Sequence, residues 1–150
     1  MGTGRFVADV HLAKLAKYLR LLGFDTLYYN RIEDDTLICI ANEQDRTILT
    51  KDRALCERCE RCYLVKGKKL KEQLQEVLEK FGLHIEAPFS RCMVDNAPLE
   101  VVEKKEVEEQ LPPKVKSFYE DFWRCRECGR IYWHGSHYEK MRRFIEDLDD

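Results

Sequence analysis

Short apolar runs and amphipathic stretches alternate through the first half of the chain. Phe6-Val7-Ala8 forms the heart of a buried strand over residues 5–9. Residues 11–22 then repeat apolar positions at helical spacing, with Leu12, Leu15, Ala16, Leu19 and Leu22 on one face and Gly23 as the stop signal. A strand over 26–29 follows, then a helix opened by Asp34-Asp35 that carries Leu37, Ile38 and Ala41, then a strand over 47–50. Residues 53–60 read as a helix and Tyr63-Leu64-Val65 as a strand, while 69–81 form a strongly amphipathic helix closed by Gly82. Strands that alternate with helices imply right-handed crossovers and a mostly parallel sheet, an α/β fold. The pattern changes at Ala87-Pro88, beyond which short strands and turns lead to a last helix starting near Ser136. This predicts two domains, 1–88 and 89–150.

The alternation decides where the acidic residues are delivered. Asp9 ends the first strand, Asp52 follows the strand over 47–50, and Asp34 opens a helix, so a parallel sheet carries all three to the crevice beyond its carboxyl edge. Carboxylates gathered there repel one another unless a cation offsets them, and oxygen donors favour a hard ion, Mg²⁺ or Mn²⁺. An ion so held suits in-line attack on a phosphodiester. Each aspartate also has an ordinary use, Asp34 and Asp52 as helix caps and Asp9 in a strand-to-helix turn; it is their convergence that favours a metal site. Asp35 is a possible substitute for Asp34. Lys14, Lys17 and Arg20 form a stripe opposite the apolar face of the first helix, which is either a solvated face or, beside Asp9, a holder of phosphates.

Composition limits these readings. The chain has 150 residues, 26 basic and 28 acidic, for a net charge of −2. There is no bulk attraction to nucleic acid, so a polynucleotide would have to be held by a local patch and by metal. No apolar run approaches the roughly 20 residues of a membrane span. Met1-Gly2-Thr3-Gly4 lacks the features of a signal peptide, and the expected location is the cytoplasm. The seven cysteines are an odd number grouped at metal or redox spacings rather than as a secreted disulfide framework. Cys92-x-x-Asp95 and Cys125-x-x-Cys128-Gly129 are two knuckles of zinc-ribbon length, with Asp95, or a nearby His134 or His137, as fourth ligand to three thiolates. Oxygen in place of sulfur weakens the case for zinc, and the alternative is a pair of hairpins kept by packing. Cys56, Cys59 and Cys62 fall at i, i+3, i+6 of a helix, where burial as small apolar residues is favoured over a soft-metal or redox site.

Four stretches taken in order, Phe6-Val7-Ala8-Asp9-Val10-His11-Leu12, Leu19-Arg20-Leu21-Leu22-Gly23-Phe24-Asp25-Thr26, Ile48-Leu49-Thr50-Lys51-Asp52-Arg53 and Cys125 through His137, resemble the Mut-seven C-terminal RNase domain family. The resemblance implies a PIN-like three-layer nuclease fold with a mostly parallel sheet, followed by a small zinc-ribbon-like β module and a C-terminal helix. It also implies Mg²⁺- or Mn²⁺-dependent cleavage of RNA, with Asp9, Asp34 and Asp52 at the acidic positions and Arg20 and Arg53 at basic ones. RNA contacts are expected from Lys14, Lys17, Arg20 and Arg53, and zinc ligation from Cys92, Asp95, Cys125 and Cys128. The chain departs from the family pattern at Ala13, where glycine is common, and at Asp95, where the first knuckle normally has its second cysteine. Family members often carry a further domain upstream; this chain starts directly at its first strand, as a single-unit form or a fragment would. Two other classes fit the same residues: a non-catalytic RNA-binding module whose aspartates are caps, and a metal-dependent phosphatase acting on small phosphoesters.

Overall fold

The first strand forms on the apolar run after Arg5, and its last three residues are fully buried. The computed structural model describes residues 4–148. Contacts divide the chain into two compact units, Met1–Asn96 and Ala97–Asp150. In the first unit, β1 (Arg5–Ala8) is followed by a 3-10 turn (Val10–Leu12), α1 (Ala13–Leu21), β2 (Asp25–Tyr28), α2 (Asp34–Gln44), β3 (Thr47–Thr50), α3 (Arg53–Glu57), β4 (Cys62–Leu64) and α4 (Leu70–Lys80). The four strands pair in the order β2-β1-β3-β4, and every pairing is parallel.

Period-2 alternation splits the sheet residues between two helical layers. Val7 and Ile48 join Leu37 and Ala41 of α2, Leu55 of α3 and Cys59 in one buried cluster. Phe6 points to the other side and meets Phe81, just past α4, edge to face with ring centroids 5.4 Å apart. On that side α1 packs against α4 through buried positions that include Leu15, Leu19, Leu74 and Val77. Gly23, at φ +98°, ends α1 as the sequence predicts, and only glycine fits: a Cβ there would stand 2.4 Å from the Ala87 carbonyl oxygen.

As the outer strand, β2 presents backbone groups that have no neighbouring strand. Side chains take them over. The Asn96 carboxamide accepts from the Thr26 amide at 2.9 Å, and the Arg20 Nε donates to the Thr26 carbonyl at 2.7 Å. The other end of the Arg20 guanidinium donates to the carbonyls of Met93 and Val94 at 3.0 and 2.9 Å. Arg20 is only 6% exposed, so its place in an RNA-binding stripe does not survive: the helical wheel puts it beside Lys14 and Lys17, but three carbonyls have claimed its donors.

A second buried arginine closes the same edge. Arg46, 5% exposed, donates to Asp25 Oδ1 at 2.8 Å and to the Phe6 carbonyl at 3.1 Å, and Asn96 donates to the same Asp25 oxygen at 2.6 Å. Burial alone would push the Asp25 carboxyl up, but these two hydrogen bonds and the Arg46 charge hold it below its ordinary value of 3.8.

The second unit contains β5 (Leu99–Val102), α5 (Lys104–Val107), a 3-10 turn (Glu108–Gln110), α6 (Pro113–Phe118), β6 (Phe122–Cys125), β7 (Ile131–Tyr132) and α7 (Ser136–Leu148). Its strands form an antiparallel sheet in the order β5-β6-β7. Val102, Val107, Leu111 and Phe122 make its buried centre, with Trp133 packed against them. The start of α7 matches the sequence reading, whereas α5 and α6 do not appear in it. Pro112-Pro113 reads as a breaker, yet Pro113 opens α6 at a position where a missing N–H costs nothing. No helix among the described residues is long and apolar enough to cross a membrane.

Replacing Asp25 with Ala strands the Arg46 charge in the interior and should destabilise the protein by about 3 kcal/mol at neutral pH. Because the folded-state carboxyl titrates below its ordinary value, this contribution is complete above about pH 3.8 and fades as pH falls through the lower folded value. Urea denaturation of wild type and variant at pH 7 and near pH 3 should show the gap between them narrowing in acid.

Candidate functional site

A sheet in the order β2-β1-β3-β4 reverses direction between β1 and β3, and the crevice beyond the carboxyl ends of those two strands is where open α/β sheets hold ligands. Asp9 and Asp52 flank that point. Asp9 immediately follows β1, its amide still donating to the Leu49 carbonyl at 2.9 Å as though the ladder continued. Asp52 is the N-cap of α3, and its Oδ1 accepts from the amides of Ala54 and Leu55 at 3.0 and 3.4 Å.

Between them lies a residue that sequence reasoning passed over. Thr50, fully buried at the end of β3, donates its hydroxyl proton to Asp9 Oδ2 at 2.6 Å and accepts from the Asp52 amide at 3.0 Å. A hydroxyl has one proton, so the amide contact fixes which way that proton points. Each carboxylate is therefore oriented through one oxygen. Among the described residues, no hydrogen bond or ion pair engages Asp9 Oδ1 or Asp52 Oδ2. The available signal was a polar β-branched residue closing the strand after Ile48-Leu49, two positions before an aspartate.

Asp34 is the first residue of α2, with Glu33 rather than Asp34 at the cap position. It is half-exposed and lies 3.8 Å from Arg58, which also pairs with Asp35. Thus Asp9 and Asp52 share one hydroxyl, while Asp34 is held separately by an arginine. Of the basic residues expected to touch RNA, Lys14, Lys17 and Arg53 are exposed and Arg20 is not.

The two knuckles repeat one backbone form. The Asn96 amide donates to the Cys92 carbonyl at 2.9 Å, and the Gly129 amide donates to the Cys125 carbonyl at 2.9 Å. Asn96 and Gly129 both take the left-handed conformation, at φ +73° and +74°. Asp95 thus occupies the turn position that Cys128 occupies in the second knuckle. Among the described residues, Cys92, Asp95, Cys125 and Cys128 form a group whose ligand atoms all lie within 4.8 Å of one another. Ligands of tetrahedral zinc at about 2.3 Å stand roughly 3.8 Å apart, so the group can hold a metal ion and its donor set is consistent with zinc.

His134 does not belong to that group. It is stacked between Trp123 and Tyr138, with centroids 4.3 and 3.7 Å away, and burial lowers its pKa against the opposing charges of Asp121 and Glu139. The three clustered cysteines also part ways. Since α3 ends at Glu57, only Cys56 is helical; Cys62 returns on β4 and forms a disulfide with it, while Cys59 is buried among apolar side chains.

A family model described as Mut7-C RNAse domain matches residues 4–145, nearly the whole chain. No curated protein and no solved structure matches it.

Purified protein should carry stoichiometric zinc by elemental analysis, and Cys125→Ser should lose it. Asp95→Cys should retain zinc at chelator concentrations that strip the wild type, because a thiolate binds this ion more tightly than a carboxylate does. Zinc absent from both wild type and Asp95→Cys would show that the group is not a zinc centre.

Proposed function

Because the chain belongs to the Mut7-C RNAse domain family, we propose that it is a metal-dependent ribonuclease in which Asp9, Asp34 and Asp52 hold Mg²⁺ or Mn²⁺ and RNA phosphodiester bonds are cut beside them. The observation that carries this reading is the placement of Asp9 and Asp52 at the β1/β3 switch point, tied through the Thr50 hydroxyl, each with one carboxylate oxygen left for a cation. A bound divalent ion supplies charge stabilisation at the scissile phosphate and a water activated for attack. The residues of the chain supply position. Thr50 fixes the Asp9 carboxylate, the α3 amides fix that of Asp52, and Asp34 exchanges a half-exposed ion pair with Arg58 for the cation at little cost. Lys14, Lys17 and Arg53 hold flanking phosphates, a local attraction that a net charge of −2 does not provide globally.

In this reading residues 1–88 are a PIN-like nuclease domain and residues 89–150 a zinc-ribbon-like module whose metal sits on Cys92, Asp95, Cys125 and Cys128. One observation favours a second reading, a non-catalytic RNA-binding module: Asp52 already serves as a helix cap and Asp34 already has an arginine partner, so both are satisfied without a cation.

Cleavage of single-stranded RNA in Mg²⁺ or Mn²⁺ decides between the two. Asp9→Asn and Asp52→Asn should each reduce it by at least about 100-fold, and Thr50→Val by about 10- to 100-fold, the usual range for the partner that orients a metal ligand. Asparagine caps a helix nearly as well as aspartate, so the Asp52 variant should melt like wild type. Near-normal cleavage by both aspartate variants would remove the site, and absence of metal-dependent cleavage by wild type would leave the binding module.

A further inference from the structure

The parallel strands of the first unit open onto different chemistry. The segments that follow β1, β3 and β4 are basic, and His11, Lys14, Lys51, Lys68 and Lys69 from them line a cavity of about 580 Å³. The segment that follows β2 is not. Residues 29–33 end in Glu33 and run into Asp34 and Asp35, with Arg31 as their single basic residue. Such a loop is a poor holder of phosphates, and what it offers in their place is the ring of Tyr29.

Strand register sets that ring beside the acidic site. Ala8 pairs with Tyr28, so one step further along the two strands stand Asp9 and Tyr29. The Tyr28 hydroxyl donates to the Val10 carbonyl at 2.8 Å, and alternation sends Tyr29 to the opposite face, that of Leu27, which packs with Val7 and Ile48 against α2 and α3. Thr50, two residues beyond Ile48, shares this face and holds Asp9. Ile32 packs against the same cluster and Asp34 begins α2, so the loop is anchored on both sides of its open part. Tyr29 is 39% exposed, although the residues of β2 before it are buried or half-buried. Four large apolar side chains are exposed among the described residues, and Tyr29 is the one at the carboxyl edge of the parallel sheet. Among the described residues, no hydrogen bond or ring contact engages Tyr29, and no hydrogen bond or ion pair engages Arg31.

An aromatic ring left open on an anchored loop, next in register to Asp9 and too close to acids to serve a phosphate, suits the flat face of a nucleobase. We propose that Tyr29 is the platform on which a base flanking the scissile phosphate stacks, and that the site therefore takes single-stranded RNA. A base inside a duplex is stacked on both faces and has none to offer the ring. The inference deepens the ribonuclease reading and rests on it for the position of the cut.

The test uses the full chain carrying Asp9→Asn in Mg²⁺, so that bound RNA stays whole without a chelator. Fluorescence anisotropy follows its binding to a labelled single-stranded RNA, to the same strand in a duplex, and to an abasic strand of the same length. Adding Tyr29→Ala should weaken binding of the single strand about tenfold, the usual weight of one stacked base, while the duplex affinity and the melting temperature stay unchanged. Adding Tyr29→Phe instead should keep the single-strand affinity, because the ring remains. The abasic strand should bind more weakly than the intact one, and Tyr29→Ala should add no further loss to it. No binding of the single strand, unchanged affinity in Tyr29→Ala, an equal loss for the duplex, or a loss that Tyr29→Phe shares would each overturn the platform. Tyr29-dependent binding by a protein whose wild type cuts no RNA would support the platform and sink the nuclease reading, and cleavage indifferent to Tyr29→Ala would do the reverse.

Discussion

The guanidinium of Arg20 is the fixed point of the first unit. It is buried, and three carbonyls from two separate segments, Thr26 on one side and Met93 and Val94 on the other, share its donors. Burial lowers its pKa, while the nearby Cys92, Asp95 and Asp25 favour the charged form. An arginine remains protonated in a protein, so the charge has to be met by acceptors, and here they are backbone oxygens that would otherwise lack a strand partner. The edge of the sheet and the turn that carries Cys92 and Asp95 are thereby tied to one side chain. Lysine could not replace it, because a point ammonium cannot reach both segments with the fixed fork of a guanidinium.

Three consecutive residues at the end of β3 divide the work of the candidate site. Thr50 points inward and clamps Asp9; Lys51 reaches the Gly67 carbonyl and a wall of the cavity; Asp52 turns to cap α3. A strand that ends in such a sequence can serve an acidic crevice and a basic cavity at once, because successive side chains leave the backbone on opposite sides. The organisation gives charge of both signs within a few residues without pairing one against the other: Lys51 donates to a carbonyl, and the neighbouring carboxylate accepts from amides.

What was legible in the sequence was what hydrophobic period records. The strand over 47–50 and the helix over 70–80 are marked by apolar positions and need no knowledge of distant partners. The parallel sheet followed from alternation, and the two knuckles from cysteine spacing. Arg20 was misread because a helical wheel sorts residues by angle alone, and a long side chain near the end of α1 can turn back to an edge strand. The disulfide of Cys56 with Cys62 was hidden by the assumption of a continuous helix, which in fact stops at Glu57. The lysines at 68 and 69 belong to a loop, where periodicity carries no information about which cavity they line.

The wholly parallel ladder of the first unit also has a kinetic meaning. Phe6 pairs with Thr26 and Thr47, so no strand of this sheet meets the one beside it through a short turn. Each pairing must close a long loop, at an entropic cost, before its contacts can compensate, and topologies of that kind fold slowly. In the second unit Trp123 pairs with Tyr132 across a local turn, which can close early. The order of events during folding is thus written in loop lengths: a nearby hairpin closes ahead of a sheet that has to gather segments from nearly half the chain.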